Sequence, residues 1–286
     1  MNSLVKRHLL VFLRDKWSVF FSLLSVIIVI LLYTLFLIQM HESGLPEPMQ
    51  GTTEAKHLTY TWLFSGVLMV STVTVPLGFL GIMIRDRSER ISNDFYVTPL
   101  KRLSITLSYL IAAFVITFTL GVFNLVVGQV IVYLNASAWL SPLALVKILG
   151  LTGLSSALFT SMLYTIVTFL KTQNAHGTMS SIVGTLVGFL AGLYVPIGAF
   201  GNAFQTFLSF TPFMQVSALF RTVYMEKAIG EVFSSNAGQA DYALFFGIDI
   251  ELFERILTQC ELTLIIAGWT LMFILLASFR VKSFRT

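Results

Sequence analysis

The chain has 286 residues, of which 56% are hydrophobic and only 11% charged, and its mean hydropathy is +0.84. Soluble domains carry about 25% charged residues, so composition excludes a water-soluble globule and a disordered chain. A single cysteine, Cys260, permits no intrachain disulfide and no cysteine-rich metal site. What remains is an all-α integral membrane protein. Its net charge of +4 is explained by where the charges fall.

Residues 1–17 form a basic segment. Arg7 and Arg14 lie a heptad apart on one stripe, and Leu9, Leu13 and Trp17 share another. This pattern suits both a topology-setting anchor and an interfacial helix along the inner leaflet. A membrane helix needs about 20 mostly apolar residues. Stretches free of Asp, Glu, Lys and Arg run over Trp17–His41, His57–Ile84, Leu103–Val146, Ile148–Leu170, Thr172–Phe220 and Leu262–Phe279. The third is too long for one span, and its middle, Asn135 to Pro142, carries turn and helix-start chemistry. Six transmembrane helices follow, at about 18–40, 58–84, 104–134, 143–170, 178–197 and 258–280. The first is too long for the core of a cleaved signal peptide, and no cleavage site follows it. No lipidation signal is visible.

Orientation follows from Lys and Arg in the flanks. With the N-terminus in the cytoplasm, 13 of the 18 Lys and Arg but four of the 14 Asp and Glu fall inside, a surplus of nine positive charges. The outside segments carry five cations against ten acids. Both termini are therefore expected to be cytoplasmic. The basic balance is a topology signal and does not indicate nucleic-acid binding.

Residues 85–102 form the largest inside loop, dense in charges of both signs. Ser88 is placed to cap a short helix with Glu89 in its first turn. Ile91 and Phe95, four apart, share a face, and Pro99 biases the helix to end near Val97. A short helix with an apolar ridge among charges suits docking to another protein. His176, in the loop at 171–177, has no second ligand at metal spacing and reads as a loop histidine. Ser180, Gly184, Gly188 and Gly192 recur every fourth residue in span five, a small-residue ridge for close helix packing within the subunit or across a dimer.

Beyond Val195 the chain is apolar and aromatic but broken by Pro196, Gly198, Gly201 and Pro212. A pair of short re-entrant helices in the outer leaflet fits 196–225, with Arg221 near the outer interface. Such backbone must be sheltered by protein. Residues 226–257 make a small acidic external segment leading into the last span.

No Gly-Lys pair occurs, so the chain has no P-loop for ATP. No metalloprotease, serine-hydrolase or paired-cysteine motif occurs, and no charge lies near the middle of any span. The chain is therefore not expected to be an enzyme or to bind a cofactor or metal. Asn124 and Gln129, the polar side chains at depth in span three, point 140° apart and read as interhelical hydrogen-bond glue. Lys147 and Glu261 sit at outer span ends, where they can snorkel.

Three features together resemble the ABC-2 permease family, the type-2 membrane subunits of ATP-binding-cassette exporters. They are the basic N-terminal helix followed by six spans; the loop with Glu89-Arg90, then Thr98-Pro99-Leu100 and Arg102; and the run from Pro196 through Pro212 to Arg221. The resemblance implies a dimer of this chain, or of this chain and a related permease, working with two separate ATPase subunits that bind ATP and Mg. The 85–102 loop would be the coupling helix, with Glu89, Arg90, Ile91, Asp94, Phe95, Thr98 and Pro99 at the ATPase contact. Substrates of the family include drugs, haemolysins, antimicrobial compounds, lipids and lipid-linked glycans. A route lined by Phe, Leu, Ser and Thr favours a hydrophobic or amphipathic compound over lipid-linked polysaccharide. Multi-pass placement in a bacterial plasma membrane is expected. The external segment is longer than a minimal member needs. A secondary transporter and an intramembrane enzyme are the other polytopic classes, but no inverted repeat or intramembrane ionisable site supports the first, and no nucleophile, metal site or acid pair at depth supports the second.

Overall fold

A computed structural model describes residues 1–33, 50–96, 101–233, 238–252 and 255–283. Helices α1 (Asn2–Arg14), α2 (Lys16–Leu32), α3 (Thr53–Ser88), α4 (Ile91–Tyr96), α5 (Arg102–Ala136), α6 (Pro142–Val167) and α7 (Gln173–Leu190) are followed by a 3-10 turn at Ile197–Ala199. Then come α8 (Asn202–Ser209), α9 (Pro212–Tyr224), α10 (Glu226–Val232) and α11 (Gln239–Phe245). A two-residue antiparallel hairpin pairs Glu251 with Ile256 and Leu252 with Arg255, and α12 (Gln259–Ser283) closes the chain.

The central element is α3. Its buried residues run round the whole circumference, from Trp62, Phe64 and Leu68 to Phe79 and Leu80. A helix that is apolar on every side has to be enclosed, and α2, α5, α6, α7 and α9 all pack against it. At 36 residues it is about 54 Å long at 1.5 Å per residue. It continues through Pro76, whose missing N–H is tolerated inside a helix bundle. By contrast, α5 and α12 bury one side and leave Val126, Leu134, Leu264 and Leu271 exposed. Among the described residues four helices are long and apolar enough to cross a membrane: α3, α5, α6 and α12.

The helix starts use local chemistry. The hydroxyls of Thr52, Ser141, Thr172 and Thr211 accept the backbone N–H of Ala55, Ala144, Ala175 and Met214, satisfying donors that a helix leaves orphaned. Pro142 and Pro212 follow two of these caps, where the absent N–H costs nothing. The break expected between 135 and 142 is present, with Ser137 left-handed at φ 52°.

Several expectations change. Span one is described as far as Tyr33, and the rest of its predicted 18–40 range lies outside the described residues. Span five stops at Leu190, short of the predicted 197, because the chain turns at Gly192, which has φ +60°. Ser88 caps nothing: it ends α3, donating its own hydroxyl to the Arg85 carbonyl, and Glu89 and Arg90 form the turn before α4. His176 is no loop histidine. It is buried on α7, with Nε2 3.1 Å from the Leu77 carbonyl. Gln129 does not bridge helices but reaches the carbonyl of Ala138, just past the end of its own helix.

Candidate functional site

At the end of the molecule that carries α1, five polar residues from three helices converge. Arg7 donates through both terminal nitrogens to Asp86, at 2.6 and 2.8 Å, a two-pronged geometry that only a guanidinium supplies. Tyr109 of α5 donates to the same carboxylate at 2.6 Å. His8 stacks on Tyr109 with centroids 3.9 Å apart and meets the Ser108 hydroxyl at 3.1 Å. His8 is wholly buried, and burial reinforced by the nearby Arg7 charge pushes its pKa down to about 4. It is therefore neutral near pH 7. The partners come together because Asp86 and Tyr109 face each other across the α3–α5 contact, and α1 lies across both.

The short helix α4 hangs from this cluster. Phe95 lies under the Arg7 guanidinium, 5.2 Å from ring centroid to carbon, and sits edge-on to His8. Its half-buried ring thus faces the protein's own N-terminal helix and not outward as a free docking anchor. Ile91 is half-buried as well, whereas Glu89, Arg90, Asn93 and Asp94 are exposed. The surface offered to a partner is therefore more polar than the Ile91–Phe95 ridge suggested. Arg90 carries φ +61°, a strained value for a residue with a Cβ. Thr98 and Pro99 lie outside the described residues. Behind α4 is a cavity of about 70 Å³ lined by Phe95, Arg87, Arg102, Tyr109 and Tyr164 among others. Arg87 donates to the carbonyls of Leu170 and Thr168, fastening the end of α3 to the end of α6. Directly or through these residues, α4 is thus linked to α1, α3, α5 and α6.

The small-residue ridge divides. Ser180 and Gly184 lie on α7, and a Cβ on Gly184 would meet nothing within 4 Å. Gly188 lies under the Tyr194 ring, which belongs to the turn beyond the helix. Gly192 has left the helix altogether. The predicted close packing of a second helix on all four residues is therefore absent within the described chain. The fourfold spacing persisted in sequence past the point where the helix ends.

At the opposite end, Arg221 of α9 is 0% exposed and enclosed by protein. It donates to the carbonyls of Ala191 at 3.1 Å, Gly192 at 2.7 Å and Gly247 at 3.2 Å, and its guanidinium stacks 4.8 Å over Trp62. Gly192 and Gly247 both have positive φ, +60° and +65°. At Gly247 a Cβ would come 2.8 Å from the Arg221 side chain. Glycine at these positions permits the left-handed turns that aim two carbonyls at one cation. Among the described residues no carboxylate pairs with Arg221, so carbonyl dipoles and the face of Trp62 balance its charge. Ser217 adds a bond to the Ala191 carbonyl, and Trp62 donates to that of Phe246. The broken segment packs around this knot: Pro196 precedes the 3-10 turn, Gly198 lies against the Phe245 backbone, and Pro212 starts α9. Sequence reading placed Arg221 in the right segment but missed its partners, which lie 26 to 30 residues away or on α3.

The family model described as ABC-2 type transporter matches residues 1–225, which include α1, α4 and Arg221. No curated protein and no solved structure matches the chain.

Proposed function

The chain belongs to the ABC-2 type transporter family, and on that footing we propose that it moves a hydrophobic or amphipathic compound out of the cytoplasm or inner leaflet, driven by ATP hydrolysis on separate subunits. As a member of the family it is a membrane permease, the transport subunit and not the ATPase, and such permeases work with ATPase partners. In the proposed complex two ATPase subunits, each with ATP and Mg, serve two copies of this chain or this chain and a related permease. The chain crosses a bacterial plasma membrane six times, with both termini inside and 196–225 re-entrant from the outer face. Drugs, toxins or haemolysins, and antimicrobial compounds are the substrate classes in view.

The observation that carries this reading is the setting of α4. It is a six-residue helix with a polar outward face between the two longest helices, and its inward ring is locked to the N-terminal helix by Arg7 and His8. That construction suits a lever receiving force from a partner. The test is to purify the chain with its copurifying ATPase, reconstitute both in proteoliposomes and follow ATP hydrolysis with amphipathic drugs and with a lipid-linked oligosaccharide. Stimulation by the drugs supports the reading, and stimulation by the glycan alone replaces the substrate class. An ATPase that neither copurifies nor responds refutes the coupling. Orientation has its own check, because the native Cys260 is exposed at the start of α12. A membrane-impermeant maleimide should label it from outside the cell.

A further inference from the structure

We propose that the cavity of about 320 Å³ between α3, α6, α9 and α10 binds the headgroup of a zwitterionic aminophospholipid, a phosphate with a primary ammonium as in phosphatidylethanolamine. Its walls include His57, Trp139, Lys147, Tyr224, Glu226 and Lys227, with apolar side chains such as Leu143 and Val223 between them.

Three observations point to a ligand of this kind. The first is the hydroxyl of Tyr224. The side chain lines the cavity, is 2% exposed, and its oxygen has no hydrogen-bond partner. A buried hydroxyl left unpaired is unfavourable, and a phosphate oxygen would satisfy it. The second is the charge pattern. Glu231 is held by His57 at 2.6 Å and approached by Lys227 at 3.8 Å, so these three form their own group at the rim. Lys147 and Glu226 remain, both exposed and neither in an ion pair among the described residues. One cation and one carboxylate on a single cavity match a phosphate and an ammonium. A headgroup of net negative charge would face Glu226 unfavourably, and a quaternary ammonium has no N–H to donate to it.

The third is the surroundings. Leu143 and Val146, at the start of the apolar helix α6, are 67% and 66% exposed, and Trp139 is exposed beside them. Exposed apolar side chains next to an amphipathic ring are the signature of a membrane–water boundary. Acyl chains of a lipid seated by its headgroup would run down this face of α6. A peptide or a free metabolite would leave it bare. The chemistry does not depend on export; that the lipid belongs to the outer leaflet follows only from the proposed orientation.

The experiment is native mass spectrometry of the full chain, with whatever subunits copurify, in detergent with added dioleoyl-phosphatidylethanolamine, -phosphatidylcholine or -phosphatidylglycerol. The wild type should bind the ethanolamine lipid at least fivefold more tightly than either of the others. Glu226→Gln should remove the preference over phosphatidylcholine, and Lys147→Gln should weaken binding of all three at least threefold. Both residues are exposed, so neither change threatens folding. Tyr224→Phe should weaken lipid binding yet raise the unfolding temperature of the lipid-free protein, because it removes an unpaired hydroxyl. Equal binding of the three lipids by the wild type, or unchanged binding in Lys147→Gln and Glu226→Gln, overturns the proposal. So does competition by glycerophosphoethanolamine as effective as the intact lipid, which would make the cavity a site for a free headgroup. Detergent binding requires neither transport nor orientation, so its failure is separate from failure of the proposed function.

Discussion

Arg7 and Asp86, 79 residues apart, meet in a two-pronged ion pair that straps the N-terminal helix across the end of the central helix. Asp86 is 1% exposed at its side chain, so its carboxylate depends on Arg7 and Tyr109 for compensation. Breaking a buried pair by removing one partner costs about 3–5 kcal/mol, whereas replacing both by apolar groups is often nearly neutral. Arg7 is 30% exposed, which places the expected loss for Arg7→Leu at the lower end, about 3 kcal/mol. The double variant Arg7→Leu/Asp86→Leu should recover much of it. Unfolding temperatures of the two singles and the double, read as a cycle, check this. Losses that simply add would show that the pair is not coupled.

His8 supplies a pH test. Its folded pKa is held near 4, below the ordinary value of 6.5. Between those values the unfolded chain binds a proton that the folded protein refuses, so stability falls as pH drops from about 6.5 toward 4. One proton corresponds to a slope of up to about 1.4 kcal/mol per pH unit. Comparing the pH profile of unfolding with that of His8→Gln isolates this share from the carboxylates. The variant should have the flatter profile through pH 5–6, and identical profiles would place His8 in contact with solvent.

Much of the architecture was legible in the chain. Charge-free runs located the long helices, the Asn135–Pro142 break was read from turn chemistry, and Pro196 and Pro212 marked the broken segment. These are local signals, carried by residues near one another. The aim of side chains over long range was not legible. Phe95 and Ile91 share a helical face, but periodicity does not say whether that face meets a partner or the protein's own Arg7. The fourfold recurrence of small residues likewise continued to Gly192, although the helix ends at Leu190. The partners of Arg221 were missed for the same reason: its carbonyl acceptors are aimed by two glycine turns that only the folded chain brings together.

That knot should be intolerant of change. Hydrogen bonds to charged groups contribute about 1.5–3 kcal/mol each, and Arg221 makes three to carbonyls. Arg221→Met should destabilise the protein by about 3 kcal/mol or more. Arg221→Lys should rescue little, because an ammonium cannot span both turns or stack on Trp62 as a planar guanidinium does. Yield of folded protein and thermal unfolding in detergent measure both. A lysine variant as stable as wild type would mean the fork geometry is immaterial.

Gly184 and Gly188 of α7 should part company. Gly184→Ala adds helix propensity worth up to about 1 kcal/mol in open space, so it should stabilise or leave the protein unchanged. Gly188→Leu drives a side chain into the Tyr194 ring and should disrupt the turn that leads to Gly192. Thermal unfolding with size-exclusion chromatography distinguishes them. A destabilised or dissociated Gly184→Ala protein would show that a second chain packs there.

The central claim is that α4 receives the work of a separate ATPase. The most direct test places photoreactive benzoylphenylalanine at Asn93, exposed on α4, and separately at Gln259, exposed at the start of α12. Irradiation of the assembled complex should give an adduct with the ATPase from position 93 and none from position 259. No ATPase adduct from position 93, or equal adducts from both, would contradict the assignment of α4 as the coupling element.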